Sequence, residues 1–200
     1  MREPFKAFIE KEITEGMVII ACGLPATNKT ESTEVIARLK GYTMLRTDII
    51  RREVLKGEDI FHEKVASDME KRRLVYDTMF RQAEDLACRG KGVILDATFI
   101  TQSLRKRAAG VAARNGRTFV IQQTSCPEHY SLDKISKRTR DTYESNALTP
   151  QAYLNNKKNF EPVDLDDLTK AYPGLKVVHL LVDTASDSED AWFVINRTER

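Results

Sequence analysis

The chain has 200 residues, 41% of them hydrophobic and 31% charged, and its formal net charge at pH 7 is +2. This composition excludes a disordered chain, and no apolar run is long enough to cross a bilayer, so we expect no membrane partner. The length predicts one domain over residues 1–200, and the polar start, which lacks an apolar signal segment, predicts a cytoplasmic location.

Apolar periodicity predicts strands that alternate with helices along the chain. Strands are predicted at 17–22, 42–45, 93–95, 118–122 and 176–182, and the polar N-terminal segment is compatible with a short helix. Helices are predicted at 30–40, 49–55, 63–88, 101–115, 128–138 and 150–160, with a terminal helix at 188–197. This alternation predicts an α/β fold, a parallel five-stranded sheet with helices on both faces.

The loop at residues 23–30 has the context of a phosphate-binding loop, because it follows the first predicted strand and precedes a helix. Such a turn points backbone N–H groups and the positive end of the helix dipole at one spot, where Lys29 adds a charge and Thr30 can hold Mg²⁺. The alternative is an incidental turn whose lysine faces solvent. The candidate nucleotide-binding residues are Gly23, Leu24, Pro25, Ala26, Thr27, Asn28, Lys29 and Thr30.

Asn28 stands where the usual pattern G-x-x-x-x-G-K-[ST] has its second glycine. If this position needs a positive φ, asparagine tolerates it better than any other side chain except glycine. A residual penalty of about 1.4 kcal/mol weakens nucleotide binding about tenfold. The loop by itself is therefore an imperfect match.

Three further motifs follow the loop: Leu-Arg-Thr-Asp-Ile-Ile-Arg at 45–51, Arg-Leu-Val-Tyr at 73–76 and Gly-Val-Ile-Leu-Asp-Ala-Thr-Phe at 92–99. Together the four elements resemble the AAA-type P-loop kinase-like family, whose members carry G-L-P-G-S-G-K-S, R-S-D-x-x-R, R-x-x-V-Y and V-x-x-D-A-T-F in this order. The chain is similar, more distantly, to polynucleotide 5′-hydroxyl kinase and zeta-toxin kinase domains. The matches extend from residue 18 to about 162, and they imply a P-loop NTPase fold with a small helical lid.

The resemblance implies that Asp48 accepts the proton of the acceptor hydroxyl and that Arg51 helps to bind the acceptor. It also implies that Asp96, at the end of an apolar strand, holds Mg²⁺ together with Thr30. Thr98 is expected to line the acceptor pocket. Helix capping is the alternative for both carboxylates, and Asp48 can serve both purposes.

The lid is expected at about 134–150, where kinases of this class close arginines over the phosphates. Arg138 and Arg140 are the candidate phosphate contacts, and Arg138 is also a candidate catalytic residue. Lys134 stands where the family commonly has its first lid arginine, and lysine lacks the bidentate fork of arginine. Cations near the end of a helix also favour its dipole, which is the structural alternative.

These patterns predict an ATP- and Mg²⁺-dependent phosphotransferase, a kinase that transfers the γ-phosphoryl group of ATP to an alcohol group of an unidentified small molecule. A polynucleotide 5′-hydroxyl kinase is an alternative, favoured by the D-x-x-R element and by basic clusters at 71–73 and 105–107, which helix solvation explains equally well. A zeta-toxin-like nucleotide-sugar kinase is another. A non-catalytic nucleotide-binding protein is suggested by Ala26, Asn28 and Lys134, which depart from the family pattern.

Overall fold

The computed structural model describes residues 1–58, 65, 68–138 and 149–200. Its strands are β1 (Glu3–Pro4), β2 (Val18–Cys22), β3 (Thr43–Arg46), β4 (Val93–Asp96), β5 (Phe119–Ser125), β6 (Val177–Asp183) and β7 (Phe193–Glu199). Its α-helices are α1 (Phe5–Glu12), α2 (Lys29–Lys40), α3 (Thr47–Val54), α4 (Met69–Cys88), α5 (Gln102–Arg114), α6 (Glu128–Ser136), α7 (Pro150–Asn159) and α8 (Leu165–Ala171). None of the described helices is both long and apolar enough to cross a membrane.

The seven strands of the described residues belong to one sheet with the order β1-β7-β6-β5-β2-β4-β3. The five strands from β6 to β3 pair in parallel, and β7 and β1 extend the sheet as antiparallel strands. The predicted parallel five-stranded core is therefore confirmed, and two strands are added to it. Because β2 lies between β4 and β5, the carboxyl end of β2 borders the crevice in which open α/β sheets bind ligands.

Strand β2 is fully buried because helices cover both faces of the sheet. Val18, Ile20 and Cys22 pack with residues of α4, α5 and α8, whereas Ile19 packs on the other face with α1 and α2. Alternate side chains of a strand point to opposite faces, so a strand covered on both sides needs an unbroken apolar run. This is the pattern from which β2 was predicted, and helices on both faces are confirmed.

The terminal helix predicted at 188–197 is wrong. The chain forms a short 3₁₀ turn at Glu189–Ala191 and then strand β7, which pairs antiparallel with β6. Val194 is buried while its neighbours Phe193 and Ile195 are partly exposed, which is the alternation of a strand. Three adjacent apolar residues do not distinguish a helix from a strand. Here the segment forms a strand because it pairs with the edge of β6 that β5 leaves free.

The helix boundaries differ from the prediction at the start of α4 and, by one residue, at the end of α7. Asp68 caps α4, where its carboxylate accepts the N–H groups of Glu70 and Lys71, so the described helix starts at Met69 and not near 63. Residues 59–64, 66–67 and 139–148 lie outside the described residues. Helix α8 was not predicted, and the side chain of Asp164 caps it.

Arg105 is fully buried, although the sequence places it in a basic cluster expected at the surface. Its guanidinium donates hydrogen bonds to the carbonyl oxygens of Phe99 (3.0 Å), Pro162 (3.0 Å) and Glu161 (2.7 Å). It therefore joins the loop after β4 to the segment after α7. The cluster at 105–107 is thus not a continuous cationic surface, and this removes one reason to expect a nucleic-acid partner.

Candidate active site

A cavity of about 610 Å³ opens where β2, β3 and β4 end. The loop after β2, the start of α3, the end of β4 and helix α7 all contribute to its wall. Of the residues predicted from the sequence, those that line it are Pro25, Ala26, Asn28, Lys29, Thr30, Asp48, Arg51, Asp96, Thr98 and Arg138. The structure thus brings the loop, both carboxylates and two of the arginines together, whereas Arg140 lies outside the described residues.

The loop backbone takes left-handed conformations at two positions where the family has glycine. Ala26 has φ 58° and Asn28 has φ 55°. A left-handed conformation costs roughly 1–2 kcal/mol for an ordinary residue, and less for asparagine. This strain lowers the stability of the folded chain. The positive φ considered for residue 28 is observed, and weaker nucleotide binding as its consequence stays a prediction.

Gly23 at the start of the loop cannot be replaced without a clash. Its φ is 141°, and a Cβ atom there would lie 2.7 Å from Thr124 Oγ1 and 3.0 Å from the carbonyl oxygen of Thr124. The Thr124 hydroxyl in turn lies 2.7 Å from the Thr27 hydroxyl. The glycine therefore lets the loop pack directly on β5.

The buried side chain of Asn28 connects the loop to two distant parts of the chain. Its Nδ2 donates to the carbonyl oxygens of Thr184 (2.7 Å) and Ser186 (3.1 Å), which follow β6. Its Oδ1 accepts a hydrogen bond from Lys134 Nζ at 2.5 Å. The hydroxyl of Thr184 donates to the Thr27 carbonyl oxygen at 2.8 Å. A glycine at this position could form hydrogen bonds only through its backbone. The side-chain network is therefore specific to the asparagine.

Lys29 is the first residue of α2, and its ammonium reaches back over the loop and donates to the carbonyl oxygen of Leu24 at 2.6 Å. Burial lowers the pKa of Lys29, and the negative charge of Asp96 opposes this shift. The ammonium is thus held above the loop and close to a carboxylate. This geometry contradicts the alternative in which Lys29 faces solvent.

Thr30 and Asp96 form a hydroxyl–carboxylate pair, in which Thr30 Oγ1 donates to Asp96 Oδ2 at 2.7 Å. Asp96 is 5% exposed, and this burial raises its pKa to about 6. The pair presents the oxygen donors that Mg²⁺ prefers, and a cation there offsets the cost of burying the carboxylate. Among the described residues no three His, Cys, Asp or Glu side chains form a metal site by themselves. Mg²⁺ at phosphate sites needs only one or two protein ligands besides phosphate and water, so these residues fit it.

Replacing Asp96 with asparagine is expected to raise the free energy of unfolding of the metal-free, nucleotide-free protein by about 3 kcal/mol at pH 7. The native pKa of about 6 exceeds the ordinary value of 3.8, so the native state binds the proton more tightly and the parent loses stability as pH rises between these values. Asparagine stays neutral at every pH. The variant therefore has the higher free energy of unfolding above about pH 6, and this difference is absent below about pH 4. Urea unfolding of both proteins in EDTA, from about pH 4 to pH 7, measures this difference in free energy. Identical pH profiles for the two proteins would contradict the prediction.

Asp48 and Arg51 lie on α3, one turn apart, and Arg51 Nη1 is 3.9 Å from Asp48 Oδ1. The helix begins at Thr47 with Arg46 at the capping position, so Asp48 does not serve as its N-cap. Thr101 caps α5, which excludes the capping alternative for Asp96 as well. Both carboxylates are therefore placed at the cavity without a helix-capping function.

Arg72, and not Arg73, is the arginine of α4 that lines the cavity. The side chain of Arg73 is 80% exposed and lies 3.5 Å from Asp77 on the same helix. The motif R-x-x-V-Y thus begins one residue earlier than the sequence was read, and it ends at Tyr76, whose buried ring also lines the cavity. The helical spacing indicates Arg72, because Arg72 and Tyr76 are four residues apart and share one face of the helix.

A family model described as an AAA domain matches residues 18–163, well over half of the chain. The chain belongs to this family. The fold is similar to that of a putative kinase from Chloroflexus aurantiacus J-10-fl, with 18% identity and a TM-score of 0.62 over 86% of this chain and 90% of that one. It is also similar to a gluconokinase from Sinorhizobium meliloti 1021, with 15% identity and a TM-score of 0.57 over 86% and 84% of the chains.

A third similar structure is AvrRxo1-ORF1:-ORF2 with ATP, with 16% identity and a TM-score of 0.52 over 98% of this chain and 60% of that one. At these identities the likeness shows the fold, an α/β P-loop kinase fold with a mostly parallel sheet. No curated protein matches the sequence significantly. The resemblance stated from the four motifs is therefore confirmed.

This member of the AAA-domain P-loop kinase-like family departs from the family pattern at Lys134. Its ammonium binds Asn28 and lies 3.3 Å from the carboxylate of Asp187, so it is used to hold the loop and is not among the residues that line the cavity. Arg138, one turn later, does line the cavity. Most of the predicted lid, including residues 139–148, lies outside the described part of the chain.

Proposed function

We propose that this chain is a kinase that transfers the γ-phosphoryl group of ATP to a hydroxyl group of a small molecule, with Mg²⁺. The observation that carries this proposal is the meeting of Lys29, the Thr30–Asp96 pair and Asp48 in one cavity at the ends of β2, β3 and β4. Phosphoryl transfer needs positioning and charge stabilisation more than covalent catalysis, and these residues supply both.

The loop at 23–30 and the N-terminus of α2 bind the phosphates of ATP in this proposal. The backbone N–H groups point at the anion together with the helix dipole, and α2 has twelve residues to supply that dipole. Lys29 exchanges its hydrogen bond to the Leu24 carbonyl for one to a phosphate oxygen. The positive charge then lies beside the group that is transferred.

Thr30 and Asp96 hold Mg²⁺, which neutralises charge on the phosphates when it is bound. The acceptor oxygen attacks the γ-phosphorus, the bond from this phosphorus to the β–γ bridging oxygen breaks, and ADP leaves. Asp48 takes the proton of the acceptor hydroxyl, and Arg51 holds the acceptor. Arg138 contacts the transferred group, where a guanidinium can stabilise the equatorial oxygens.

The decisive experiment compares Lys29→Ala with the parent protein in two assays. In the first, isothermal titration with Mg-ATP measures binding. We expect the variant to bind about 10–100-fold more weakly, because a charge-assisted contact contributes roughly 1.5–3 kcal/mol. In the second, ADP release is followed with a panel of sugars, sugar acids, nucleosides, nucleotide sugars and 5′-hydroxyl oligonucleotides. Transfer to at least one small hydroxylated acceptor is expected for the parent.

Lys40→Ala is the matched control, since Lys40 lies at the other end of α2 and bonds only to the Glu10 carbonyl among the described residues. It is expected to match the parent in both assays. Binding of Mg-ATP without transfer to any acceptor would contradict catalysis and favour a nucleotide-binding protein. Transfer confined to oligonucleotides or to nucleotide sugars would identify one of the two other kinase alternatives. Equal ATP binding by Lys29→Ala and the parent would contradict the phosphate site.

A further inference from the structure

One wall of the cavity is formed by a single face of α7. Its lining residues are Ala152, Asn155, Asn156 and Asn159. These positions follow the i, i+3, i+4, i+7 spacing of one helix face. None of the four side chains is charged, whereas the other described residues around the cavity include five cationic and four acidic side chains. The cavity therefore combines a neutral amide wall with charged walls.

Helix α7 is fixed to the phosphate loop and to α6 through its other sides. Tyr153 is 2% exposed and packs with Ala26 of the loop and Ile135 of α6. Lys157 forms an ion pair with Glu128 of α6. Because these contacts lie away from the face with the asparagines, they set the rotation of the helix and turn that face towards the cavity.

The chain after α7 is fixed to the end of β4. The N–H of Glu161 donates to the carbonyl oxygen of Ile100 at 2.9 Å, and the Glu161 carboxylate accepts the N–H of Gln102 at 2.5 Å. The buried Arg105 donates to the Glu161 carbonyl oxygen at 2.7 Å. Helix α7 is thus held at both ends, and it extends from the phosphate loop towards Thr98 at the end of β4.

The three asparagines present donors and acceptors that the protein does not use. An amide has two N–H donors and an oxygen with two lone pairs. Asn156 Nδ2 donates to the Ala152 carbonyl oxygen at 2.7 Å, which leaves its oxygen and one N–H for a ligand. Asn155 Oδ1 accepts from Gln151 at 2.9 Å, which leaves its two N–H groups. The Asn159 amide has no hydrogen-bond partner among the described residues.

The spacing of these amides matches a row of hydroxyl groups. A helix rises 1.5 Å per residue, so Asn155 and Asn159 are offset by about 6 Å along the axis of α7. This offset is roughly the length of an extended chain of six carbon atoms. A hydroxyl group both donates and accepts, and so does an amide. A small molecule with several adjacent hydroxyl groups can therefore satisfy the whole wall.

We propose that α7 recognises the acceptor and that Asn155, Asn156 and Asn159 bind neighbouring hydroxyl groups of a small polyol, a sugar or a sugar alcohol. This inference rests on the proposed kinase function and specifies its acceptor class. One hydroxyl group of the polyol faces Asp48 and is phosphorylated, and the amides of α7 hold the others. A site built to hydrogen-bond a hydroxyl group discriminates against the analogue without it, because the site's polar groups then lose their partner.

Transfer from Mg-ATP is measured with acceptors of equal carbon number: xylitol against 1,5-pentanediol, D-ribose against 2-deoxy-D-ribose, and D-glucose against 2-deoxy-D-glucose. For the parent we expect kcat/KM to be about tenfold or more higher for the polyol of at least one pair. Asn155→Ala and Asn159→Ala are each expected to raise KM for that polyol about 3- to 10-fold at nearly unchanged kcat. They are also expected to reduce the preference for it over its partner.

Lys158→Ala is the matched control, because Lys158 is an exposed neighbour of Asn159 on α7 and is not among the residues that line the cavity. It is expected to keep the parental KM and the parental preference. Thermal unfolding of the three variants is expected to match that of the parent. A change of KM in the asparagine variants alone then reports on acceptor binding and not on the fold.

Saturation-transfer difference NMR with xylitol, D-ribose and D-glucose in the presence of Mg-ADP tests the wall without any need for transfer. We expect signals from at least one polyol with the parent and with Lys158→Ala, and their loss in the double variant Asn155→Ala/Asn159→Ala. Mg-ADP is expected to bind all three proteins equally. If no acceptor is phosphorylated, the kinase proposal fails, and these signals still decide whether α7 binds polyols.

Three results would overturn the inference. The first is equal kcat/KM for the two members of every acceptor pair. The second is the same KM in Asn159→Ala as in Lys158→Ala. The third is an NMR signal that is absent from the parent or that persists in the double variant.

Discussion

Asp48→Asn is expected to lower kcat for phosphoryl transfer about 10³-fold while Mg-ATP binds as tightly as it does to the parent. A positioned general base contributes roughly 10²- to 10⁴-fold to a rate, and asparagine has the same shape but cannot accept the proton. The carboxylate lines the cavity beside Arg51 and has no helix-capping function, so its loss should affect the reaction more than the fold.

Single-turnover transfer and calorimetric binding of Mg-ATP measure the two effects separately. Asp85→Asn is the control, because Asp85 lies on the exposed side of α4. It is expected to match the parent in rate and in affinity. An Asp48→Asn enzyme that retains the parental kcat would show that Asp48 is not the base. A parallel loss of rate, affinity and thermal stability would indicate a structural role instead.

Asn28→Ala is expected to destabilise the protein by about 3–5 kcal/mol. The variant loses four hydrogen bonds of a side chain that is 2% exposed, one of them to a charged lysine. It also keeps the left-handed backbone without asparagine's tolerance for it. Removing the amide also leaves the carbonyl oxygen of Thr184 and the ammonium of Lys134 with fewer partners. Unsatisfied buried groups of this kind dominate the cost.

Asn28→Gly separates the two contributions, because glycine restores the family residue and takes φ 55° without strain. We expect it to be more stable than Asn28→Ala by about 1 kcal/mol and still clearly less stable than the parent. Chemical unfolding of the three proteins gives the order, and Asn196→Ala, at an exposed position of β7, serves as the control. A glycine variant more stable than the parent would show that the network contributes less than the strain costs.

The phosphate-loop region could be predicted largely from the sequence because its signals are local. The apolar run of β2, the loop with Lys29 and Thr30, and the helix after it are consecutive in the chain. A strand covered on both faces also leaves an unbroken apolar pattern. Asp48 and Asp96 could be placed because Asp96 directly follows a predicted strand and Asp48 lies three positions after the end of another, and parallel strands end at one edge of the sheet.

Other features could not be decided from local patterns alone. The sequence does not distinguish Arg72 from Arg73 unless the helix phase is known. It also does not show that Arg105 is buried and donates hydrogen bonds to four carbonyl oxygens. Strand β7 was predicted as a helix because its apolar residues are adjacent, and the free edge of β6 decides its conformation. Thr184 has no motif at all, and only the return of the chain to the loop shows its contact with Thr27.

By itself, the sequence determined the fold class, the phosphate-loop motif and the two carboxylates at the strand ends, since each depends on residues that are close in the chain. Its length, composition and small net charge limited the chain to a folded globular protein. The tertiary structure decided what Asn28 and Lys134 do, because they are 106 residues apart and meet in one hydrogen bond. It likewise decided that Arg51 and Arg72 line one cavity, because this depends on how α3 and α4 pack against each other and not on their sequences alone.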